Sequence, residues 1–235
     1  HLTELGRLMH PLLERSYEAA QQARRLARQV ERAQVSPLAL GLAQDVHLPG
    51  LPTLFTEVGR AVSGLELALR VSTSAELVQA ALAGDLDAFI AARDGELPER
   101  VDCWELRQER FGLLLPEGHA LAGHEIIDPA AMQEQPLVTL GSSCEQMLLG
   151  AGALPAHRAG SWAAAGLLVA AGYGAALVPE GLGWLAGTAW RPLRGCQEER
   201  TIVLAAVAGR RRSQAADIFL KSVRARGWPV PQARQ

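Results

Sequence analysis

The stretch LELALRVSTSAELVQAALAGDLDAFIA, residues 65–91, decides the fold of this chain. Leucine and valine alternate with charged or small residues over positions 65–71, which is the period-2 pattern of a strand covered on at least one face. Residues 72–74 are serine and threonine, which are good helix N-caps, and apolar residues then recur at helical spacing until Gly84 supplies a stop. The short apolar run 88–91 predicts a buried strand.

A strand, a helix and a second strand in this order predict a βαβ unit, whose right-handed crossover produces parallel strands. Ligands on parallel sheets bind beyond the carboxyl ends of the strands, where helix N-termini offer free N–H groups. Residues 72–74 lie at such an end. Their hydroxyl groups are therefore candidate ligand contacts.

The composition is that of a globular protein of one or two domains, since 49% of the 235 residues are apolar and 20% are charged. A net charge of -2 gives no overall basic field of the kind that nucleic-acid-binding proteins carry. Three widely spaced cysteines, Cys103, Cys144 and Cys196, argue against a disulfide framework and favour a reducing compartment. Because the sequence shows neither a signal-peptide pattern nor a membrane-length apolar run, we expect a cytoplasmic protein without membrane association.

The first residues predict a long helix with one apolar face. Apolar side chains over residues 2–32 fall close to one helical stripe, and about 30 residues at 1.5 Å each would form a rod of roughly 45 Å. Pro11 predicts a bend or a later start of this helix. Self-association explains such a length better than packing on the parent domain, although both would produce the apolar stripe.

Apolar patterns along the rest of the chain predict further strands and helices. The predicted strands are 38–43, 111–115, 136–140, 175–178, 188–193 and 200–207. The predicted helices are 48–62, one opened by residues 141–143, 163–171 and one that starts at Ser213. Residues 93–105 lose periodicity and gather acidic residues and a proline, so we predict an exposed connection and a domain boundary there.

Several segments, in order, resemble the LysR-type transcriptional regulators, from their linker helix through their effector-binding domain. The segments are LTELGRLMHPLLER (2–15), PLALGLAQDVHLPGLPTLFTEV (37–58), STSAELVQAALAGDLDAFIA (72–91) and GLLVAAGYGAALVPEGL (166–182). The resemblance implies an α/β fold of the type 2 periplasmic-binding-protein kind, with two Rossmann-like subdomains joined by two crossing strands and preceded by a linker helix.

The implied domains are a linker or dimerisation helix at 1–34, subdomain I at 36–102 with 203–228, subdomain II at 103–202, and a tail at 229–235. An effector would lie in the cleft between the subdomains. The implied effector-binding residues are Gln44, Asp45, Ser72, Thr73, Ser74, Thr139, Gly141, Ser142, Ser143, Ser161 and Trp162.

The chemistry of these residues leaves the charge of the effector open. Hydroxyl and N–H groups suit a carboxylate or another small anion. Asp45 would repel an anion, so a cationic, zwitterionic or amide-bearing effector is also consistent with the sequence. Asp45 equally fits a helix N-cap.

The resemblance also implies partners. The chain starts where the linker helix starts, so we expect a winged helix-turn-helix to precede it in a longer regulator, and promoter DNA to be bound only through that domain. A homodimer or homotetramer and a contact with RNA polymerase are implied as well. We expect no cofactor and no metal.

Three other functions compete with this interpretation. Catalysis is disfavoured because the sequence lacks a G-x-S-x-G elbow, an HExxH motif and a Walker loop, and His119 and His124 have no third metal ligand nearby. Thiol redox sensing is possible in the same architecture, because Cys144 falls about where peroxide-sensing members carry a reactive cysteine and a helix N-terminus lowers a thiol pKa. A cytoplasmic solute-binding protein would share the fold.

Overall fold

The computed structural model describes residues 35–229 except 94, 134, 141–155, 183–185 and 197–198, together with residues 3, 5, 9–10, 12–17, 20–21 and 23–24. The helix predicted after residues 141–143 lies outside the described residues, as do Gly141, Ser142, Ser143 and Cys144 themselves.

The described elements are nine strands and five helices, and most of them lie where the sequence predicts a strand or a helix. The strands are β1 (Ser36–Ala43), β2 (Leu65–Ser72), β3 (Ala88–Ala92), β4 (Val101–Pro116), β5 (Val138–Thr139), β6 (His157–Arg158), β7 (Ala176–Pro179), β8 (Thr188–Pro192) and β9 (Glu199–Val207). The helices are α1 (Leu51–Ala61), α2 (Ser74–Ala83), α3 (Pro129–Gln133), α4 (Trp162–Ala170) and α5 (Gln214–Ala225), with 3-10 turns at Ala120–Gly123 and Glu180–Leu182. The sequence did not predict β6 or α3, which are 2 and 5 residues long.

The βαβ unit predicted from residues 65–91 is present as β2, α2 and β3, but β1 lies between its two strands. β1 pairs in parallel with β2 on one side and with β3 on the other. The sheet order is β2-β1-β3-β9-β4-β7, with β8 also paired to β4. The parallel strands therefore direct their carboxyl ends, and the turns that follow them, toward one edge of the sheet.

Strand β2 is less covered than its sequence indicates. Among the described strands it lies at the edge of the sheet, and Leu67, Leu69 and Val71 are 37%, 45% and 60% exposed. The prediction of a covered face is thus wrong for the single chain. Alternation shows which side chains share a face of a strand, but it does not show whether another layer packs on that face.

Two antiparallel strands, β4 and β9, run through the middle of the sheet and are called the crossing strands. β4 has 16 residues and pairs with β9 from Val101 opposite Val207 to Arg110 opposite Glu199. Its first residue, Val101, belongs to one large apolar core, which also contains the buried residues of β1, β3, β9, α1 and α5. The distal half of β4, from Phe111, belongs to two further cores built from residues 111–193. β4 therefore connects the cores directly.

The predicted exposed connection at 93–105 is wrong over its second half, because β4 already begins at Val101. Two features explain why this part of the strand was not predicted. Asp102 and Glu105 are both exposed and give this part of the strand the composition of a loop. The register against β9 also shifts between Glu105 and Arg107, so the pattern of buried residues changes phase at that bulge.

Helix starts follow the predicted caps closely. The side chains of Thr73, Ser161 and Ser213 each accept a hydrogen bond from a backbone N–H three residues on, at 3.3, 3.1 and 3.1 Å. Gly84 ends α2 with a φ of 95°, a left-handed conformation that glycine adopts without a steric penalty.

In the predicted linker helix, the described residues 5, 9–10, 12–17, 20–21 and 23–24 are helical. Apolar side chains on this segment are exposed rather than packed on the rest of the chain: Leu5 69%, Met9 41%, Leu12 50%, Leu13 62% and Tyr17 66%. None of the helices in the described ranges combines the length and the apolar character needed to cross a membrane.

Candidate functional site

The turn after β1 and the end of β2 are direct neighbours. Ala43 pairs with Ser72 in the parallel ladder, and the backbone N–H of Gln44 donates to the carbonyl of Ser72 at 2.9 Å. The Gln44 side chain is exposed. The fold thus brings together two of the predicted effector-binding segments, 44–45 and 72–74, at the carboxyl ends of parallel strands.

The hydroxyl groups at the start of α2 already have partners. Glu76 Oε2 accepts from the Ser72 hydroxyl and from the backbone N–H of Thr73, while Thr73 Oγ1 accepts from the backbone N–H of Glu76. This is a capping box. The hydrogen bond from Ser72, followed by those from Thr73, lowers the pKa of Glu76 below its ordinary value. A carboxylate of the protein therefore lies at this helix N-terminus, beside three of the residues predicted to contact the effector.

Asp45 is held by Arg200, which lies at the start of β9. Arg200 Nη1 donates to Asp45 Oδ2 at 2.7 Å, and Arg200 Nη2 donates to the backbone carbonyl of Asp45 at 2.7 Å. The guanidinium counters the charge of the carboxylate. The repulsion of an anion that the sequence led us to expect from Asp45 is therefore weakened in the fold.

Arg200 and Asp45 belong to a larger group, the four-charge cluster, which consists of Asp45, Arg107, Glu109 and Arg200. Glu109 is 0% exposed and lies between the two arginines: its Oε2 accepts from Arg200 at 2.7–2.8 Å and its Oε1 accepts from Arg107. Two carboxylates and two guanidiniums give the cluster no net charge. Pairing of this kind is what allows charged groups to be buried.

Arg107 extends the cluster to two backbone carbonyls. Its Nη2 donates to the carbonyl of His47 at 2.8 Å and its Nη1 to the carbonyl of Pro229 at 3.2 Å. Its Nε is buried and has no hydrogen-bond acceptor among the described residues. The cluster therefore joins the β1–α1 loop, both crossing strands and the segment after α5.

The register of the crossing strands explains why these side chains meet. Glu109 lies directly opposite Arg200 in the antiparallel ladder, and Arg107 lies two positions before Glu109 on the same face. The bulge after Glu105 changes the phase of β4, so that both side chains turn inward.

The surroundings of His47 favour the neutral form of its imidazole. Burial lowers the pKa of the ring below the ordinary 6.5, the positive charge of Arg107 lowers it further, and Glu109 opposes them more weakly.

The second group of predicted residues lies near the ends of β5 and β6. Thr139 is buried and pairs with Arg158, and its carbonyl accepts from the backbone N–H of Ala159 at 2.9 Å. Ser161 follows two residues later as the N-cap of α4. Trp162 is half-buried and packs against both apolar cores built from residues 111–193. Its side chain therefore contributes to core packing, and the residue directly follows the N-cap Ser161.

A groove of about 450 Å³ lies beside α2, and it adjoins the predicted site at Glu76. Its lining residues are Arg70, Ala75, Glu76, Gln79, Ala80, Ala83 and Asp85. None of these belongs to the predicted effector-binding set.

No cluster of three metal-ligating side chains occurs in the described ranges, and Cys103 and Cys196 are free thiols there.

Sequence reasoning missed three residues of the four-charge cluster: Arg107, Glu109 and Arg200. A signal for them does exist. Glu109 and Arg107 lie two and four residues before Phe111, and Arg200 lies two residues before Ile202, so continuing the alternation of each strand places all three on an inward face. Charged residues at inward positions need partners, and their opposite signs indicate that they pair with one another.

Comparisons with known proteins agree on one family. The family described as LysR substrate binding domain matches residues 31–228. The regulator ShiR of Corynebacterium glutamicum is 29% identical over 196 residues, covering 79% of this chain and 66% of its own length. The regulator SsuR of Burkholderia cenocepacia is 26% identical over 160 residues, covering 66% of this chain and 52% of its own length. The chain thus spans about half to two thirds of these curated relatives.

Among solved structures, a full-length OxyR variant from Pseudomonas aeruginosa superposes with a TM-score of 0.67. The match covers 95% of this chain and 81% of that one, at 23% identity. This likeness concerns the fold. It confirms the predicted α/β architecture of the type 2 periplasmic-binding-protein kind.

Proposed function

Because this chain belongs to the LysR substrate-binding domain family, we propose that it senses an effector and mediates assembly in a LysR-type transcriptional regulator. A small metabolite binds in the cleft between two subdomains. Its binding changes how a winged helix-turn-helix domain elsewhere in the whole protein binds promoter DNA. The family comprises regulators of transcription, so the prediction that the chain is not an enzyme is confirmed.

The observation that carries this proposal is the course of β4, which belongs to one core at Val101 and to others from Phe111. Apolar cores joined by long strands can change their relative orientation at the strands without being disrupted. We propose the division into subdomain I (36–102 with 203–228) and subdomain II (103–202), with the linker at 1–34 and a tail at 229–235.

The proposed effector site draws on both subdomains. Subdomain I contributes Gln44, Asp45 and residues 72–74, and subdomain II contributes Thr139, Ser161 and Trp162. Gly141, Ser142 and Ser143 are part of the proposal, although they lie outside the described residues. Amide, hydroxyl and carboxylate groups together suit a small polar metabolite that carries both hydrogen-bond donors and acceptors.

Self-association into a dimer or tetramer is part of the same proposal. It is supported by the exposed apolar side chains on the N-terminal helical segment, such as Leu12, Leu13 and Tyr17. An amphipathic helix that leaves its apolar face in water gains stability by pairing with another such helix. We also propose a cytoplasmic location and a contact with RNA polymerase, as befits a regulator that acts at promoters.

A thermal-shift screen of polar metabolites tests effector binding. A ligand at about 100 times its dissociation constant stabilises the folded state by roughly 2.7 kcal/mol, which raises Tm by roughly 5 to 10 °C for a chain of this size. Calorimetry of a hit should give a roughly tenfold weaker Kd for Gln44→Ala. Gln79→Ala, which changes a glutamine in the α2 groove, is the control. Equal Kd values for Gln44→Ala and the parent would remove Gln44 from the site.

Thiol sensing through Cys144 is the alternative within the same family. The structural similarity to OxyR supports the fold and not thiol sensing itself, and Cys144 lies outside the described residues. Stoichiometric sulfenic acid at Cys144 under mild peroxide, absent in Cys144→Ser, would establish this alternative. An unmodified Cys144 would exclude it. A free-standing solute-binding protein is the weaker alternative, because the matching family is one of regulators.

A further inference from the structure

We propose that Arg200, Glu109 and Arg107 are positioning residues, which fix the β1–α1 loop at the cleft and link its position to both crossing strands. The role of this loop in holding an effector rests on the proposed function. The mechanical link itself does not, because it follows from contacts within the unliganded chain.

The two arginines hold the loop at three points. Arg200 binds both the carboxylate and the backbone carbonyl of Asp45, and Arg107 binds the backbone carbonyl of His47. Contacts to main-chain carbonyls hold the backbone of the loop in place, whereas a contact to the carboxylate alone would only neutralise its charge. The exposed Gln44 side chain is therefore presented from a rigid support.

Glu109 connects the two arginines and hence the two strands. Each of its carboxylate oxygens accepts from a different guanidinium, and all three side chains are buried away from bulk solvent. A buried carboxylate that loses such a partner carries a large desolvation penalty. A displacement of the loop must therefore move Arg200 and Arg107, and with them β9 and β4.

Two more segments contact the four-charge cluster. Gly181 follows β7 and packs so closely that a Cβ added there would overlap the Glu109 carboxylate and the Arg107 guanidinium. Pro229 accepts from Arg107 on the side of the C-terminal segment. The cluster thus lies where parts of both proposed subdomains meet, and its zero net charge indicates a geometric role rather than attraction of an ion.

Hydrogen–deuterium exchange on the unliganded chain tests the link. Asp45→Asn keeps the shape of the side chain but removes its charge. Arg200→Lys keeps the charge but lacks the planar guanidinium whose separate nitrogens bind Glu109 and Asp45. Each variant should accelerate amide exchange about five- to thirtyfold at 45–48, and also at 107–110 and 200–202 on the crossing strands. The control is Glu105→Gln. Glu105 also lies on β4, but it forms an exposed ion pair with Arg93, so its loss should leave the exchange rates of these amides unchanged.

The double variant Asp45→Asn with Arg200→Lys completes the test. Both substitutions break the same connection. The fold-increase in exchange rate on β4 in the double variant should therefore be clearly smaller than the product of the fold-increases in the two single variants. Acceleration confined to 45–48, or multiplicative effects at 107–110, would overturn the proposal. Should Arg200→Lys fail to fold, the comparison of Asp45→Asn with Glu105→Gln still decides the matter. Since no ligand is used, a failure here is separate from a failure to find an effector.

Discussion

Arg200 Nη1 lies 2.7 Å from Asp45 Oδ2, although 155 positions separate the two residues in the chain. This contact determines how Asp45 can act at the cleft. The carboxylate is paired with a guanidinium and its side chain is only 20% exposed, so it is not a free negative charge. An effector would meet a fixed, partly satisfied hydrogen-bond acceptor.

Loss of the buried carboxylate of the four-charge cluster should destabilise the fold strongly. Glu109→Gln leaves Arg107 and Arg200 without their shared counter-charge, so we expect the free energy of unfolding to fall by about 3–5 kcal/mol. Urea denaturation at pH 7 measures the loss. Glu105→Gln, at an exposed ion pair of the same strand, should cost at most about 1 kcal/mol. Equal losses in the two variants would contradict the role assigned to Glu109.

A methyl group at Gly181 should disturb the cluster from the side of β7. Gly181→Ala pushes a Cβ against Glu109 and Arg107, so we expect a loss of about 1–3 kcal/mol in the free energy of unfolding. Gly118→Ala is the matched control, since no atom lies within 4 Å of a Cβ built there. Thermal unfolding of both variants provides the comparison, and a Gly181→Ala protein as stable as the control would refute the close packing.

The capping carboxylate of α2 should make stability depend on pH at the acidic end. Because hydrogen bonds lower the folded pKa of Glu76 below its ordinary 4.5, its contribution is present above that value and is lost as pH falls through the folded pKa. Glu76→Gln should therefore reduce the difference in stability between neutral pH and about pH 3. Glu125→Gln, at another exposed carboxylate, is the control. An unchanged pH profile in Glu76→Gln would contradict the capping role.

The N-terminal helical segment should control the assembly of the protein. Leu12→Gln with Leu13→Gln removes exposed apolar surface without touching the apolar cores. We expect the parent to be a dimer or tetramer and the double variant to dissociate at lower concentrations, with its Tm of subunit unfolding nearly unchanged. Light scattering after size exclusion gives the mass. A monomeric parent would contradict the proposed assembly.

Local sequence signals predicted the elements whose side chains act locally. The caps Thr73, Ser161 and Ser213 bond to N–H groups three residues away, and Gly84 ends a helix at its own position, so each can be read from a short window. The parallel βαβ unit of β2, α2 and β3 follows from the order of its elements, whereas the position of β1 between its two strands was not predicted.

The site depends on contacts that no short window contains. Asp45 meets Arg200 only because β9 pairs with β4 in one particular register, with Glu109 opposite Arg200. The bulge between Glu105 and Arg107 reverses which side chains of β4 point inward, and the amino-acid composition around it does not indicate a bulge. For the same reason the exposed face of β2 was not predicted, since exposure depends on the neighbours that the sheet order supplies.

A small metabolite that binds between the two proposed subdomains should protect both of them at once. Hydrogen–deuterium exchange with and without a saturating thermal-shift hit measures this protection. We expect the hit to slow exchange in both groups of polar turns, at 44–47 and 72–74 on one side and at 139–140 and 159–162 on the other. Slower exchange in only one group, or only along the α2 groove around Gln79, would contradict it.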